Sequence, residues 1–261
     1  MNIISWNING LRSGFAELKE LAKTYSPDFI CLQKVRCDND REQYEIDCYR
    51  ALYAPIDCGN NSGVMTYAKI PAITNPNVST LSKAERVHAI ELSKDGHLQI
   101  FDCNSFFLVN AYVPFSNTSL AGAVDARNNW DNMLRNCIVE CTSLKPVVIC
   151  GDLNVVHTQK DTCEKRLVQN RGCFFEWERD NFNALLREAN LIDAFRYLHP
   201  DEQAVSFYGN YRSMQIGNRI DYFLISSSLL SGLIASEILS DFGNRQSAPV
   251  SIHFEVQRLA R

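Results

Sequence analysis

No run of about eighteen apolar residues occurs in these 261 residues, so the sequence offers no helical membrane span. There is no Cys-x-x-Cys pair among the ten cysteines. Cys137 and Cys141 are four apart and would share a helix face, yet no second pair completes a metal set. The expectation is ten reduced, mostly buried thiols. Positive charge is not in excess either. The 26 Lys and Arg are outnumbered by 30 Asp and Glu, giving a net charge of −4. That balance argues against a protein that coats nucleic acid without selectivity, because neutralising phosphates needs basic residues. It leaves room for a local basic groove. Repeats, low-complexity tracts and long Pro/Gly/Ser linkers are absent, and the reading is one domain over residues 1–261. The first residues, Met1-Asn2-Ile3-Ile4-Ser5-Trp6, lack a basic stretch followed by a long apolar one and read as a strand. The corresponding expectation is a monomer of the cytoplasm, nucleoid or nucleus, not a secreted protein.

What is present is a large apolar fraction, 46%, arranged in short runs. Ile3–Trp6, Phe29–Leu32, Val64–Tyr67, Phe106–Tyr112, Val147–Cys150, Tyr222–Ile225 and Val250–Phe254 have the length and β-branched content of buried strands. Between them lie apolar stripes at helical spacing: Phe15, Leu18, Leu21 and Ala22; Trp130, Met133, Leu134, Cys137, Ile138 and Cys141; Phe182, Leu185, Leu186 and Ala189. Strands and helices in mixed order give an α/β class. Polar residues follow two strands, Asn7 and Asn9 after the first and Gly151-Asp152-Leu153-Asn154 after Val147–Cys150. Strand ends above a buried sheet are where α/β folds keep their sites, although Asn-Gly and Gly-Asp are also plain turn formers.

Six segments taken in order resemble one family. They are Ser5-Trp6-Asn7-Ile8-Asn9-Gly10-Leu11-Arg12, Pro27–Gln33, Asn110-Ala111-Tyr112-Val113-Pro114, Gly151–His157, Asp193–Pro200 and Arg219–Leu224. The chain is similar over its whole length to the exonuclease III / apurinic-endonuclease branch of the endonuclease–exonuclease–phosphatase superfamily. The resemblance implies a four-layer α/β sandwich, two packed mixed β-sheets flanked by helices, with a site at one edge of the sheets. It implies Mg²⁺-assisted hydrolysis of a DNA phosphodiester, in which metal neutralises charge, a carboxylate orients water and a polarised donor stabilises the crowded phosphorus.

Carried over position by position, Asn7 matches a residue that helps bind metal. Tyr112 matches a phosphate-contacting tyrosine, Asp152 the aspartate at the nucleophilic water and Asn154 its neighbour. Asp221 matches the aspartate that orients the site histidine, framed by Arg219 and Tyr222. Three positions depart. Lys34 stands where the family has its principal metal-ligating glutamate, and an ammonium cannot ligate Mg²⁺. Gln246 and Ser247 stand where the family has an aspartate and a histidine, and a hydroxyl cannot replace an imidazole beside phosphate. On this alignment Asp221 loses its partner, and no metal site remains. Lys34 either stands in for the metal, pairing with Asp152, Asp221 or a phosphate, or swings out to solvent. Phe207 and Tyr208 keep an aromatic pair where the family packs an abasic sugar, or else are core residues. Arg12, Lys34, Arg36, Arg212, Arg219 and Arg245 could face phosphate. His157 reads as structural, and His97 has no motif to single it out. Three functions compete: a nucleic-acid binder (DNA, or RNA) that does not cut, a working Mg²⁺- or Mn²⁺-dependent nuclease of DNA repair, and a protein-interaction module on the same fold.

Overall fold

A computed structural model of the chain describes residues 1–36, 42–53, 63–70, 96–116, 121–164, 171–211, 214–243 and 246–255. Two mixed sheets pack face to face. The first runs β12 (Leu233–Ile238), β13 (Val250–Phe254), β1 (Asn2–Asn7), β2 (Phe29–Gln33), β4 (Met65–Lys69), β3 (Tyr49–Tyr53). The second runs β5 (Leu98–Asp102), β6 (Phe107–Tyr112), β7 (Val147–Asp152), β11 (Asp221–Ser226), β8 (Leu191–Asp193). A separate ribbon pairs β9 (Phe207–Tyr211) with β10 (Met214–Asn218). In each sheet the central pair is parallel, β1 with β2 and β6 with β7, and β1 and β7 are buried on both faces.

Helices cover the two outer faces. α1 (Leu11–Tyr25) lays Leu18, Leu21 and Ala22 on Ile4, Trp6, Ile30 and Leu32. It ends at Ser26, a left-handed cap directly before Pro27. On the other side α2 (Ala123–Leu144) and α3 (Glu176–Glu188) bury Trp130, Leu134, Cys137, Phe182 and Leu185 against Val109, Ile149 and Leu224. A short α4 (Ala194–Leu198) follows β8. Between the sheets lie Phe29, Cys31, Leu108, Val148, Cys150, Phe223 and Ile252. The order helix, sheet, sheet, helix is the expected four-layer sandwich. Among the described residues eight cysteines are all free thiols, with Cys48 and Cys163 exposed.

One polar tie crosses the inner layer. Asn110 of β6 donates its amide to Leu32 O, Met65 O and Thr66 Oγ1 of the opposite sheet at 3.1–3.3 Å. It accepts from Gln33 Nε2 at 2.8 Å. Buried side-chain bonds of this kind fix how two sheets are set against each other. Here the fixed end is the one where β1, β2, β6, β7 and β11 deliver the residues singled out above.

Candidate functional site

Alternation along the strands decides which side chains meet. Residues 108, 148, 150 and 223 face the opposite sheet, so Tyr112, Asp152 and Asp221 face the same way at the strand ends. The register puts them in one transverse row, with Tyr112 beside Asp152 and Asp152 beside Asp221. From the facing sheet Asn7, the last residue of β1, donates Nδ2 to Asp152 Oδ2 at 2.7 Å. Asn154 closes the other side. Its backbone N–H donates to Asp152 Oδ1 at 3.0 Å, and its amide donates to Val113 O at 2.7 Å. Asn154 has φ 47°, a left-handed position that asparagine tolerates better than most residues.

Gly151 has a reason beyond turn formation. Its φ is 140°, and a Cβ there would lie 1.8 Å from the carbonyl oxygen of Ala111. Only glycine lets β7 approach β6 closely enough to put Asp152 beside Tyr112.

The carboxyls of the site are buried. Burial pushes the Asp152 carboxyl up to about 6, against the Asn7 amide, the Asn154 N–H and the charges of Lys34 and Arg127. Asp221 is pushed well above the ordinary carboxylate range by burial and then by Asp152. Tyr112 is likewise raised, first by burial and then by Asp152, and stays a neutral phenol. Lys34 is half-buried; burial and Arg36 lower its ammonium while Asp152 holds it up. Lys34 is therefore within electrostatic range of Asp152. Among the described residues it makes no ion pair with Asp152 or Asp221, so the direct pairing considered from sequence is not formed.

Asp221 does have a partner. Ser206 Oγ donates to Asp221 Oδ2 at 2.6 Å, in the place where sequence reasoning left the carboxylate alone. Asp221 Oδ1 and Asn7 Oδ1 are buried without a hydrogen-bond partner among the described residues. Ser247 and Gln246 do border this end. Trp6 Nε1 donates to Ser247 O at 3.2 Å, Asn9 Nδ2 to Gln246 Oε1 at 3.2 Å, and Phe207 bridges to Ser247.

Arg219 needs a correction. The sequence sets it among the phosphate-facing residues, yet it is 1% exposed. Its guanidinium is spent on Asp161 Oδ1 at 2.7 Å and Asp193 Oδ2 at 2.7 Å, because burying an arginine requires that its charge and donors be matched. It holds β8, β10 and β11 together and contacts no ligand space. Phe207 is half-buried against Val156, Phe174, Ile216 and Ile220, while Tyr208 is 44% exposed. Arg12 is exposed on the first turn of α1, and Arg36 is exposed. Arg212 and Arg245 lie outside the described residues. His157 hydrogen-bonds Asn183 Oδ1 at 2.8 Å and packs on Phe182, which is a structural setting.

Three contributors carry no motif. His97 stacks on Tyr112 with ring centroids 5.2 Å apart and planes 6° apart, its Nδ1 2.7 Å from Tyr112 O. It extends the Tyr112–Asp152–Asp221 row by one strand. Ser206 is the second. Arg127 is the third, and its guanidinium is 3.3 Å from Asn154 O, 3.2 Å from Leu153 O and 2.7 Å from Pro114 O, fixing the turn after Asp152. Arg127 has a readable signal, since it lies on the apolar stripe of α2 three residues before Trp130. Ser206 and His97 have none short of the strand register.

A family profile described as the Endonuclease/Exonuclease/phosphatase family matches residues 4–241. The chain is 29% identical over 258 residues to an exodeoxyribonuclease of Bacillus subtilis, covering 97% of this chain and 98% of that one. It is 32% identical over 266 residues to the DNA repair nuclease APEX1 of Danio rerio, covering 98% and 83%. Among solved structures, an AP endonuclease from Leishmania major matches with a TM-score of 0.82 at 20% identity, over 98% of this chain and 88% of that one. A 3′ phosphatase from Neisseria bound to a product DNA hairpin matches with a TM-score of 0.82 at 18% identity, over 98% and 100%. These two structures bear on the fold.

Proposed function

Because the chain belongs to the exonuclease III / apurinic-endonuclease branch of the endonuclease/exonuclease/phosphatase family, we propose that it binds nucleic acid at the sheet ends without cutting it. The observation that carries this reading is a lysine, Lys34, within electrostatic range of Asp152, whose two oxygens are both already hydrogen-bonded. A divalent cation of the Mg²⁺ kind needs oxygen ligands and at least one or two carboxylates. Here an ammonium lies within electrostatic range of the one carboxylate that could anchor it. Both oxygens of that carboxylate already accept hydrogen bonds, and burial pushes the Asp221 carboxyl well above the ordinary carboxylate range. The unpartnered Asn7 Oδ1 and Asp221 Oδ1 add two oxygens, too few for a dedicated cage. The donor set does not fit a resident divalent ion.

Without that ion and without an imidazole at position 247, the chain lacks both charge neutralisation and a group to stabilise the crowded phosphorus. Each such loss commonly costs about 10²–10⁴ in rate, and the two together more, though not as a product. What persists is a fixed polar cluster at the sheet ends. Asn7, Asp152 and Asn154 are held by hydrogen bonds of 3.0 Å or less. Tyr112 and Tyr208 offer a phenol and an exposed ring, and Lys34, Arg36 and Arg12 supply charge.

The same Asn7–Asp152–Asn154 geometry favours a second reading, a divalent-metal-dependent nuclease of DNA repair, as the relatives' names would suggest. The test is cleavage and binding of a labelled duplex carrying one abasic site, with Mg²⁺ or Mn²⁺. The wild type is compared with Lys34→Glu/Gln246→Asp/Ser247→His. Binding by both with cutting by the triple variant alone supports the binder. Wild-type cutting at a rate near that of the variant establishes the nuclease instead.

A further inference from the structure

We propose that Phe115, Phe175 and Trp177 form a stacking strip for unpaired nucleobases, beside the polar cluster at the sheet ends, so that this chain favours a single strand over a duplex. The inference rests on the nucleic-acid-binding reading and names the kind of strand that the protein takes.

The strip is built around one buried carboxylate. Glu178, in the first turn of α3, is 1% exposed. It accepts hydrogen bonds from Ser116 Oγ, from Cys173 N–H at 3.1 Å and from Phe175 N–H at 2.9 Å. The loop after β6 and the turn before α3 are thus tied to the same group, and buried bonds of this kind fix how two segments are set. Phe115 precedes Ser116 in the loop, while Phe175 and Trp177 lie on either side of Glu176 where α3 begins. Pro114 O accepts from Arg127 Nη1 at 2.7 Å, which pins the loop a second time. The strip adjoins the site, since Cys173 Sγ donates to Asn154 Oδ1 at 3.5 Å.

The rings themselves are the second ground. Phe115 is 54% exposed. Single apolar side chains are exposed on any surface, so exposure alone decides nothing. Phe115 differs because its ring has a floor. A Cβ at Gly172 would lie 2.7 and 2.8 Å from its Cζ and Cε2, so the ring rests where a side chain at position 172 would collide with it. Phe175 and Trp177, both part-exposed, stack on each other with ring planes 14° apart and centroids 6.1 Å apart. Rings supported in this way have given up rotamer freedom before a ligand arrives, which lowers the cost of binding. A nucleobase is the ligand that fits them, because every base offers a flat face to an aromatic ring whatever its sequence. In a duplex those faces are already stacked on neighbouring bases, so the strip selects unpaired ones.

The test measures affinity across a salt series for labelled oligothymidylate and for a strand of the same length with every base removed, which keeps the phosphates. The wild type is expected to bind the first at least about tenfold more tightly. Phe115→Ala and Trp177→Ala should each lose about tenfold on oligothymidylate and nothing on the base-free strand. Their salt slopes should match the wild type, because stacking releases no counterions. Phe115→Tyr should bind as the wild type does and Phe115→Leu as Phe115→Ala does, which separates an aromatic face from apolar bulk. Trp6 and Trp130 are 0% and 8% exposed, so quenching of tryptophan fluorescence by oligothymidylate reports on Trp177 and should vanish in Trp177→Phe. A wild type that binds both strands equally, a Phe115→Leu variant that matches the wild type, or losses that extend to the base-free strand overturn the strip and leave the binding reading standing. A dimer in sedimentation that Trp177→Ala converts to monomer assigns the rings to a second copy of the chain and likewise overturns the strip. A wild type that binds neither strand overturns the binding reading and the strip together.

Discussion

Asp152 and Asp221 stand opposite each other as register partners on β7 and β11, and among the described residues neither has a cation in contact with it. Burial drives both upward, Asp152 to about 6. A carboxyl raised in the folded chain binds its proton more tightly there than in the unfolded chain. The stability linked to it is therefore present in full below the unfolded value of about 4 and is lost as pH rises through about 6. Asp161 works the other way. Although burial raises it, Arg219, Thr158 and Arg196 bring it down to about 2, so its contribution fades only as pH falls from about 4 toward 2. The thermal midpoint should thus rise between pH 8 and pH 5 by an amount worth on the order of 1–3 kcal/mol. In Asp152→Asn that rise should shrink by a large part. A midpoint that is flat over this interval in the wild type would refute the assignment.

The buried Asp161–Arg219–Asp193 triad carries structure, not ligand contact. Arg219→Ala leaves two carboxylates buried without their cation and should cost about 3–5 kcal/mol of unfolding free energy, read from urea denaturation. Arg219→Lys, which keeps the charge, should cost less. In that variant the salt slope of oligonucleotide binding should equal the wild-type slope. A flatter slope in Arg219→Lys would show that the guanidinium meets phosphate after all.

Arg219 also marks where sequence reading stops. Short apolar runs locate seven strands, β1, β2, β4, β6, β7, β11 and β13, most of them buried on both faces. The strands left unread are β3, β5, β8, β12 and the β9–β10 ribbon. Each of the first four is a sheet edge, where one side is open and the apolar run is broken or short. The site residues were legible where a motif sits at a strand end, as with Asn7, Asp152, Asn154 and Asp221. Ser206 was not, because its link to Asp221 is made by the ribbon returning the chain, a fact of register. His97 was not either, since its place beside Tyr112 depends on an edge strand. Arg219 misled because a motif arginine looks the same whether it faces phosphate or two buried aspartates.

Gly151 is the tightest constraint in the sheet that carries the site. Replacing it with alanine sets a Cβ into the Ala111 carbonyl, which lies in the parallel β6–β7 pairing. The strands must part or the backbone must leave φ 140°, and either disturbs Tyr112 and Asp152 together. Gly151→Ala should destabilise the fold by about 3 kcal/mol or more and, where folded protein is recovered, abolish oligonucleotide binding. Gly122→Ala is the control. It too has a positive φ, but nothing lies within 4 Å of its added Cβ, so its cost should stay near 1 kcal/mol. Equal costs for the two would mean that conformation alone, and not the Ala111 contact, sets the price at Gly151.

Lys34→Glu exchanges the half-buried cation beside Asp152 for a carboxylate, without touching Asn7, Asp152 or Asn154. If Lys34 is what keeps divalent ions away, the single change should raise Mn²⁺ affinity at least tenfold, about 1.4 kcal/mol, measured by electron paramagnetic resonance of free Mn²⁺ without any substrate. The new carboxylate also makes a like-charge neighbour for Asp152, so apo Lys34→Glu should be less stable than the wild type at neutral pH and should recover on adding Mn²⁺. Cleavage need not follow, because position 247 still lacks an imidazole, and that separation distinguishes metal exclusion from loss of chemistry. Wild-type protein that binds Mn²⁺ as tightly as Lys34→Glu would place the ammonium outside the electrostatic reach of the site. It would also remove the main ground for reading this chain as a binder and not a nuclease.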